Sequence, residues 1–153
     1  MAALSFKQKI FSFCLDLLNE KINELNIALR DLKEGAENDA KSSAGDKHET
    51  ARAMMQLEHD KIGNQREEFL RQKSELENID INKKTSQVTK GSLLKTNLGF
   101  IFLAIPIGKI NVDGVFVIVL SPQSPLGKKL IGLKTSEFAE INGMKYMIEE
   151  LLY

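Results

Sequence analysis

Ser42-Ser43-Ala44-Gly45-Asp46-Lys47-His48-Glu49-Thr50-Ala51-Arg52-Ala53-Met54-Met55 lies between two long stretches of helical periodicity. Small and turn-forming residues open it, beginning as far back as Gly35, and they replace the apolar stripe that precedes them. The chain is therefore expected to reverse here, at the exposed tip of a helical hairpin. The residues before the tip form one arm and the residues after it form the other.

Upstream, Ser5-Phe6-Lys7-Gln8 has the form of a capping box, which starts a helix. Phe11, Leu15, Leu18, Ile22, Leu25, Leu29, Leu32 and Ala36 then recur at alternating steps of four and three, the spacing of a coiled-coil seam. The charged residues between them read as solvated flanks. Downstream, Ala51, Met55, Glu58, Ile62, Gln65, Phe69, Gln72, Leu76 and Ile79 keep that spacing with polar residues at alternate seam positions. Gly63 costs this second helix about 1 kcal/mol relative to Ala, so it depends on packing against the first. Arms of roughly 30 residues reach about 45 Å at the helical rise per residue. A turn of several residues favours pairing within one chain, with an intermolecular coiled coil as the alternative.

The polar run Asp80-Ile81-Asn82-Lys83-Lys84-Thr85-Ser86 carries no stripe and marks a boundary. Residues 1–80 form the hairpin, with its tip near 37–50, and residues 81–153 form a second domain. Beyond the boundary, residues 98–105 and 115–120 are β-branched and aromatic runs bounded by Gly, Pro, Asn and Asp, as buried strands are. Ser92 to Thr96 is a candidate strand before them, and Asp113-Gly114 marks a turn. Ser124 can cap a short helix with Pro125 in its first position and Gly132 at its end. Asn142-Gly143 joins two further strands as a hairpin. The fold class is α+β, with a small, mostly antiparallel sheet and one short helix after the hairpin.

Hydrophobic residues at 42% and charged residues at 27% are ordinary values for a globular chain. The net charge is zero, which excludes a bulk polycation for nucleic acid. The halves differ: residues 1–80 hold 12 Lys+Arg against 16 Asp+Glu, and residues 81–153 hold 9 against 5. Cys14 is the only cysteine and has no disulfide partner in the chain, which fits a reducing compartment. No apolar run approaches the roughly 20 residues of a membrane span, so a cytoplasmic protein with no membrane partner is expected.

Asp46 and Glu49 are the candidate chemical groups. At i and i+3 on a helix they project to the same side and can address one hard cation, such as Mg²⁺, or its bound water. Two divalent ions assist phosphodiester cleavage by stabilising the attacking and leaving oxygens. The same pair also fits a capping-box variant at the start of the second helix, favoured by the helix dipole. Lys41, Lys47 and Arg52 are candidate phosphate contacts around the tip, with simple solvation as the alternative. Phe100, Phe102, Phe116, Phe138 and Tyr146 read as sheet core.

The expected architecture, a long N-terminal helical hairpin followed by a compact domain, and two segments carry a resemblance to the Gre family of bacterial transcript-cleavage and elongation factors. Gly45-Asp46-Lys47-His48-Glu49-Thr50-Ala51 is similar to the family tip pattern Gly-Asp-x-x-Glu-Asn-Ala, with Thr50 in the Asn place. Ser121-Pro122-Gln123-Ser124-Pro125-Leu126-Gly127-Lys128-Lys129-Leu130-Ile131-Gly132 resembles the family's Ser-Pro-Leu-Gly-x-x-Leu-(Leu/Ile)-Gly signature. The tip departs from the family at Arg52 and Ala53, where an acid and an aromatic are usual. The resemblance implies an FKBP-like second domain that binds RNA polymerase, through Ser121, Pro122, Ser124, Pro125, Leu126, Gly127, Leu130 and Gly132. It also implies a hairpin inserted into the polymerase's secondary channel, where Asp46 and Glu49 help the enzyme's second Mg²⁺ cleave the 3′ end of backtracked nascent RNA. Such a protein is a monomer, has no cofactor of its own and is not itself an enzyme. A channel regulator that does not cleave, a prolyl isomerase and a self-association module are the competing expectations.

Overall fold

A computed structural model of the chain describes residues 5–42 and 46–152, apart from the side chains of residues 36, 38–42 and 46–48. Helix α1 spans Phe6–Ser42 and α2 spans Asp46–Glu77, followed by β1 (Leu93–Thr96), β2 (Gly99–Leu103), β3 (Gly108–Val112), β4 (Val115–Leu120), α3 (Pro125–Leu130), β5 (Phe138–Ile141) and β6 (Met144–Leu152). The architecture is α+β, two N-terminal helices followed by a six-stranded mixed sheet and a short helix.

The capping box at the start of α1 closes reciprocally. The Ser5 amide donates to Gln8 Oε1 at 2.9 Å and the Gln8 amide donates to Ser5 Oγ at 3.1 Å, so two otherwise orphaned donors are satisfied. At the far end, α1 runs through Gly35 to Ser42, past the break expected from residue 35 onward. Glu37, Ala40 and Lys41 are good helix formers. Gly35 leaves close room for the opposite helix, since a Cβ there would stand 3.9 Å from Met55 Cε. The sequence expectation for Gly45 lies outside the described residues.

Contacts divide the chain into residues 16–73 and a second unit made of residues 1–15 and 74–153. Within the first, Lys21 Nζ lies 5.6 Å from the Phe69 ring centroid, and Arg66 Nη1 donates to Asn26 Oδ1 at 3.1 Å. With Gly35 opposite Met55, partners on α2 retreat as those on α1 advance. The facing side of α2 differs from the expected seam at two positions. Glu58 and Gln65 are exposed, and Arg66 is half-buried between Ile62 and Phe69. Steps of four then three from residue 62 follow the helical repeat as well as three then four do, and Arg66 can cover apolar surface with its stem while its head bonds Asn26.

In the second unit the strand order is β3-β4-β2-β1-β6-β5, with β2 and β4 parallel and every other neighbour antiparallel. Leu94, Ile101, Leu103 and Ile148 form one face of the core with Leu130 of α3 and Val88. Phe102, Val117 and Val119, also buried, point to the other face because side chains alternate along a strand. There the Phe6 ring meets Phe100 edge-on at 5.3 Å, and Lys9 pairs with Asp113 in the β3–β4 turn at 2.8 Å. The buried side of α1 in this unit is Lys7, Ile10 and Cys14, one position off the narrow stripe through Phe11 and Leu15.

Two of the aromatic residues expected in the core are on the surface. Phe116 is 57% exposed and Phe138 is 48% exposed. Each ring carries a lysine ammonium instead, Lys109 at 4.2 Å and Lys145 at 3.9 Å, an arrangement that suits a solvated aromatic. Phe116 stands opposite Asn111 and Phe138 lies on the edge strand β5, so neither has a covering layer.

Candidate functional site

The acidic pair lies in the first turn of α2, which begins at Asp46. The backbone from Asp46 to Glu49 is helical, the condition under which residues at i and i+3 share a side. Glu49 and Arg52 are exposed. The side chains of Lys41, Asp46 and Lys47 lie outside the described residues, although Lys41 is on the last turn of α1 and Lys47 follows Asp46 in α2.

Sequence reasoning missed a groove of about 730 Å³ in the 16–73 unit, lined by Leu29, Leu32 and Met55 with Arg30, Lys33, Glu37, Arg52, His59, Gly63 and Arg66 among its walls. Four of these are cations and one is an anion, so the groove is basic although the front of the chain is net acidic. Arg52, His59 and Arg66 recur at intervals of seven, which returns them to one side of a helix. That recurrence is the signal that could have located the groove. Arg66 Nε is enclosed without a hydrogen-bond partner among the described residues. An enclosed donor of this kind favours an incoming acceptor.

The Ser121–Gly132 segment is built as an interlocked loop and helix. The Ser124 hydroxyl donates to the Ser121 carbonyl at 2.6 Å and accepts from the Gly127 amide at 3.0 Å, while the Gln123 amide donates to Ser121 Oγ at 3.0 Å. Ser124 is the N-cap of α3 and Pro125 occupies its first turn. A Cβ on Gly127 would overlap the Ser121 carbonyl oxygen and come within 2.8 Å of Ser124 Oγ. Gly132, at φ +87°, donates its amide to the Val88 carbonyl at 2.8 Å, and the Val88 amide returns a bond of 2.8 Å to Leu133. Gly127 and Leu130 are interior, so they serve the segment by building it. Pro125 and Gly132 are exposed, Ser121, Pro122, Ser124 and Leu126 are half-buried, and Lys128 and Lys129 flank them in solvent.

No family model, curated protein or solved structure matches the chain. The geometry of its own residues therefore carries the functional reading. The acids of α2 belong to the 16–73 unit and the Ser121–Gly132 segment to the other. The aromatic set forms no common cluster: Phe102 is fully buried, Phe100 and Tyr146 are half-buried, and Phe116 and Phe138 stand in solvent. No helix among the described residues is long and apolar enough to cross a membrane. Cys14 is fully buried, and burial pushes its thiol up to about 12, which makes it a core residue instead of a nucleophile.

Proposed function

We propose that the protein is a transcription elongation factor of bacterial type that docks on RNA polymerase through the Ser121–Gly132 face and inserts α1 and α2 into the secondary channel. The observation that carries this reading is the acidic first turn of α2. It stands at the start of a 32-residue helix and follows one of 37 residues, lengths of about 48 and 55 Å. Contacts whose partners retreat along α2 as they advance along α1 support an antiparallel coiled-coil hairpin, which would put the acids at its tip. The capped α3 and the parallel β2–β4 pair are compatible with an FKBP-like second domain.

In this reading the protein supplies no nuclease of its own. Mg²⁺ held by the polymerase would supply the charge that stabilises the attacking and leaving oxygens. Asp46 and Glu49 would lend it oxygen ligands, which suits a hard cation that takes one or two carboxylates and otherwise keeps water or phosphate. Lys47 and Arg52 would face the RNA phosphates.

Backtracked elongation complexes with Mg²⁺ test the proposal. The protein should shorten the RNA from its 3′ end, and Asp46→Asn with Glu49→Gln should abolish shortening while leaving binding to polymerase intact. Unchanged shortening in that double variant removes the acids from the mechanism. The basic groove and the exposed Arg52 favour a second reading, a channel occupant that does not cleave. It requires displacement of another channel-binding factor with no RNA product.

A further inference from the structure

A second cavity lies wholly within the sheet-bearing unit. It measures about 390 Å³, and its walls include Lys7, Asp80, Lys83, Lys90, Ser92 and the apolar Leu93. The size is within the range of small-molecule sites. Three lysines and one aspartate line it.

Two of the lining polar residues have low exposure and donors unspent. Lys7 is 4% exposed, and no residue among those described gives it a hydrogen bond or an ion pair within 4.0 Å. Ser92 is 7% exposed. Its oxygen accepts from the Thr89 amide at 2.9 Å, and its own hydrogen has no acceptor among the described residues. The Lys7 ammonium is partly desolvated, and it gains from a negative partner. Asp80 does so incompletely, because one of its oxygens accepts from the Asn82 amide at 3.0 Å. Burial pulls the Lys7 pKa below the ordinary lysine value and the Asp80 charge only opposes that effect.

The rim is rigid. Ser92 and Thr89 exchange bonds across a tight turn, the Gly91 amide donates to the Leu103 carbonyl at 2.6 Å, and the Leu103 amide donates to the Ser92 carbonyl at 3.0 Å. Gly91 sits at φ +94°, and a Cβ there would stand 2.6 Å from Ile79 Cγ2. The Ser92 hydroxyl is thus held in place before any ligand arrives, which lowers the ordering cost of binding.

We propose that this cavity is a binding site for a phosphate group, held by Lys7, the Ser92 hydroxyl, Lys83 and Lys90. Ammonium and hydroxyl donors lining one cavity suit an oxyanion with several acceptor oxygens. Leu93, Leu151 and Leu152 give the cavity an apolar wall that could hold the organic part of a phosphate monoester.

The test is an amide NMR titration of the full chain with two probes, inorganic phosphate and adenosine monophosphate, in a phosphate-free buffer. Saturable shifts should fall on residues 78–92 with either probe. Tighter binding of the nucleotide assigns an organic phosphate, and equal binding assigns free phosphate. Lys7→Met, which removes the charge but keeps the stem, should melt no lower than the parent and bind either probe about tenfold or more weakly. Lys90→Ala provides a second variant with a smaller loss. Shifts that fail to saturate or fall elsewhere overturn the proposal, as does equal binding by folded Lys7→Met.

Discussion

The two units of the chain solve burial in different ways. In the sheet-bearing unit a six-stranded sheet is covered on both faces, and most of the side chains at or near zero exposure lie there, among them Phe102, Leu103, Ile105, Leu130 and Ile148. In the 16–73 unit, Leu18 and Ile62 are the buried apolar residues and Gln72 is a buried polar one, among the described residues. Two helices share one half-buried stripe. Length is obtained there by continuous backbone hydrogen bonding, and firmness is obtained in the other unit by packing. Local stability should follow that division.

The most severe disruption should come from the packed unit. Phe102→Ala should cost about 3–5 kcal/mol, whereas Leu29→Ala, at a half-buried site on α1, should cost about half as much or less. Equal losses in denaturant unfolding would erase the contrast between the units. Gly127→Ala should cost about 3 kcal/mol, because the atoms in the way are largely backbone and cannot swing aside.

Cys14 provides a pH-dependent test of the same contrast. Its folded pKa is raised from 9.0 to about 12, so the unfolded chain releases this proton first as pH rises. The stabilising effect is full below about pH 9 and is lost progressively towards pH 12, at up to about 1.4 kcal/mol per unit for this group. Cys14→Ala should flatten that part of the stability profile, and the parent thiol should resist a disulfide reagent at pH 8 until the protein is unfolded. The smallest effect is a gain. Gly63→Ala places a Cβ where nothing lies within 4 Å, so it should stabilise α2 by about 1 kcal/mol, seen as a higher Tm.

Local chemistry was the most legible part of the sequence. The Ser5–Gln8 box, the Ser124 cap and the Asn142-Gly143 turn are decided by side chains within four residues of one another, and each appears where expected. Strand β3 was not anticipated, because Gly108-Lys109-Ile110-Asn111-Val112 buries only Ile110 and Val112 and offers too short an alternation. Phe116 and Phe138 were misassigned because hydrophobicity does not reveal which residue lacks a covering layer. At the candidate site, Asp46 and Glu49 were found as a local motif. The basic groove was not, since it depends on which residues of α1 face which residues of α2. The cavity lined by Lys7 and Ser92 was less legible still, because it joins Lys7 to residues more than seventy positions later.

The lock between Ser121, Ser124 and Gly127 has a kinetic consequence. A partner that meets Pro125 and Lys128 encounters a surface already in one conformation, so no segment there must be ordered after first contact. Association at that face should then proceed as a single concentration-dependent phase, limited by diffusion and orientation at about 10⁵–10⁷ M⁻¹s⁻¹. Replacing Ser124 with Ala would loosen the loop and introduce a slower, concentration-independent step.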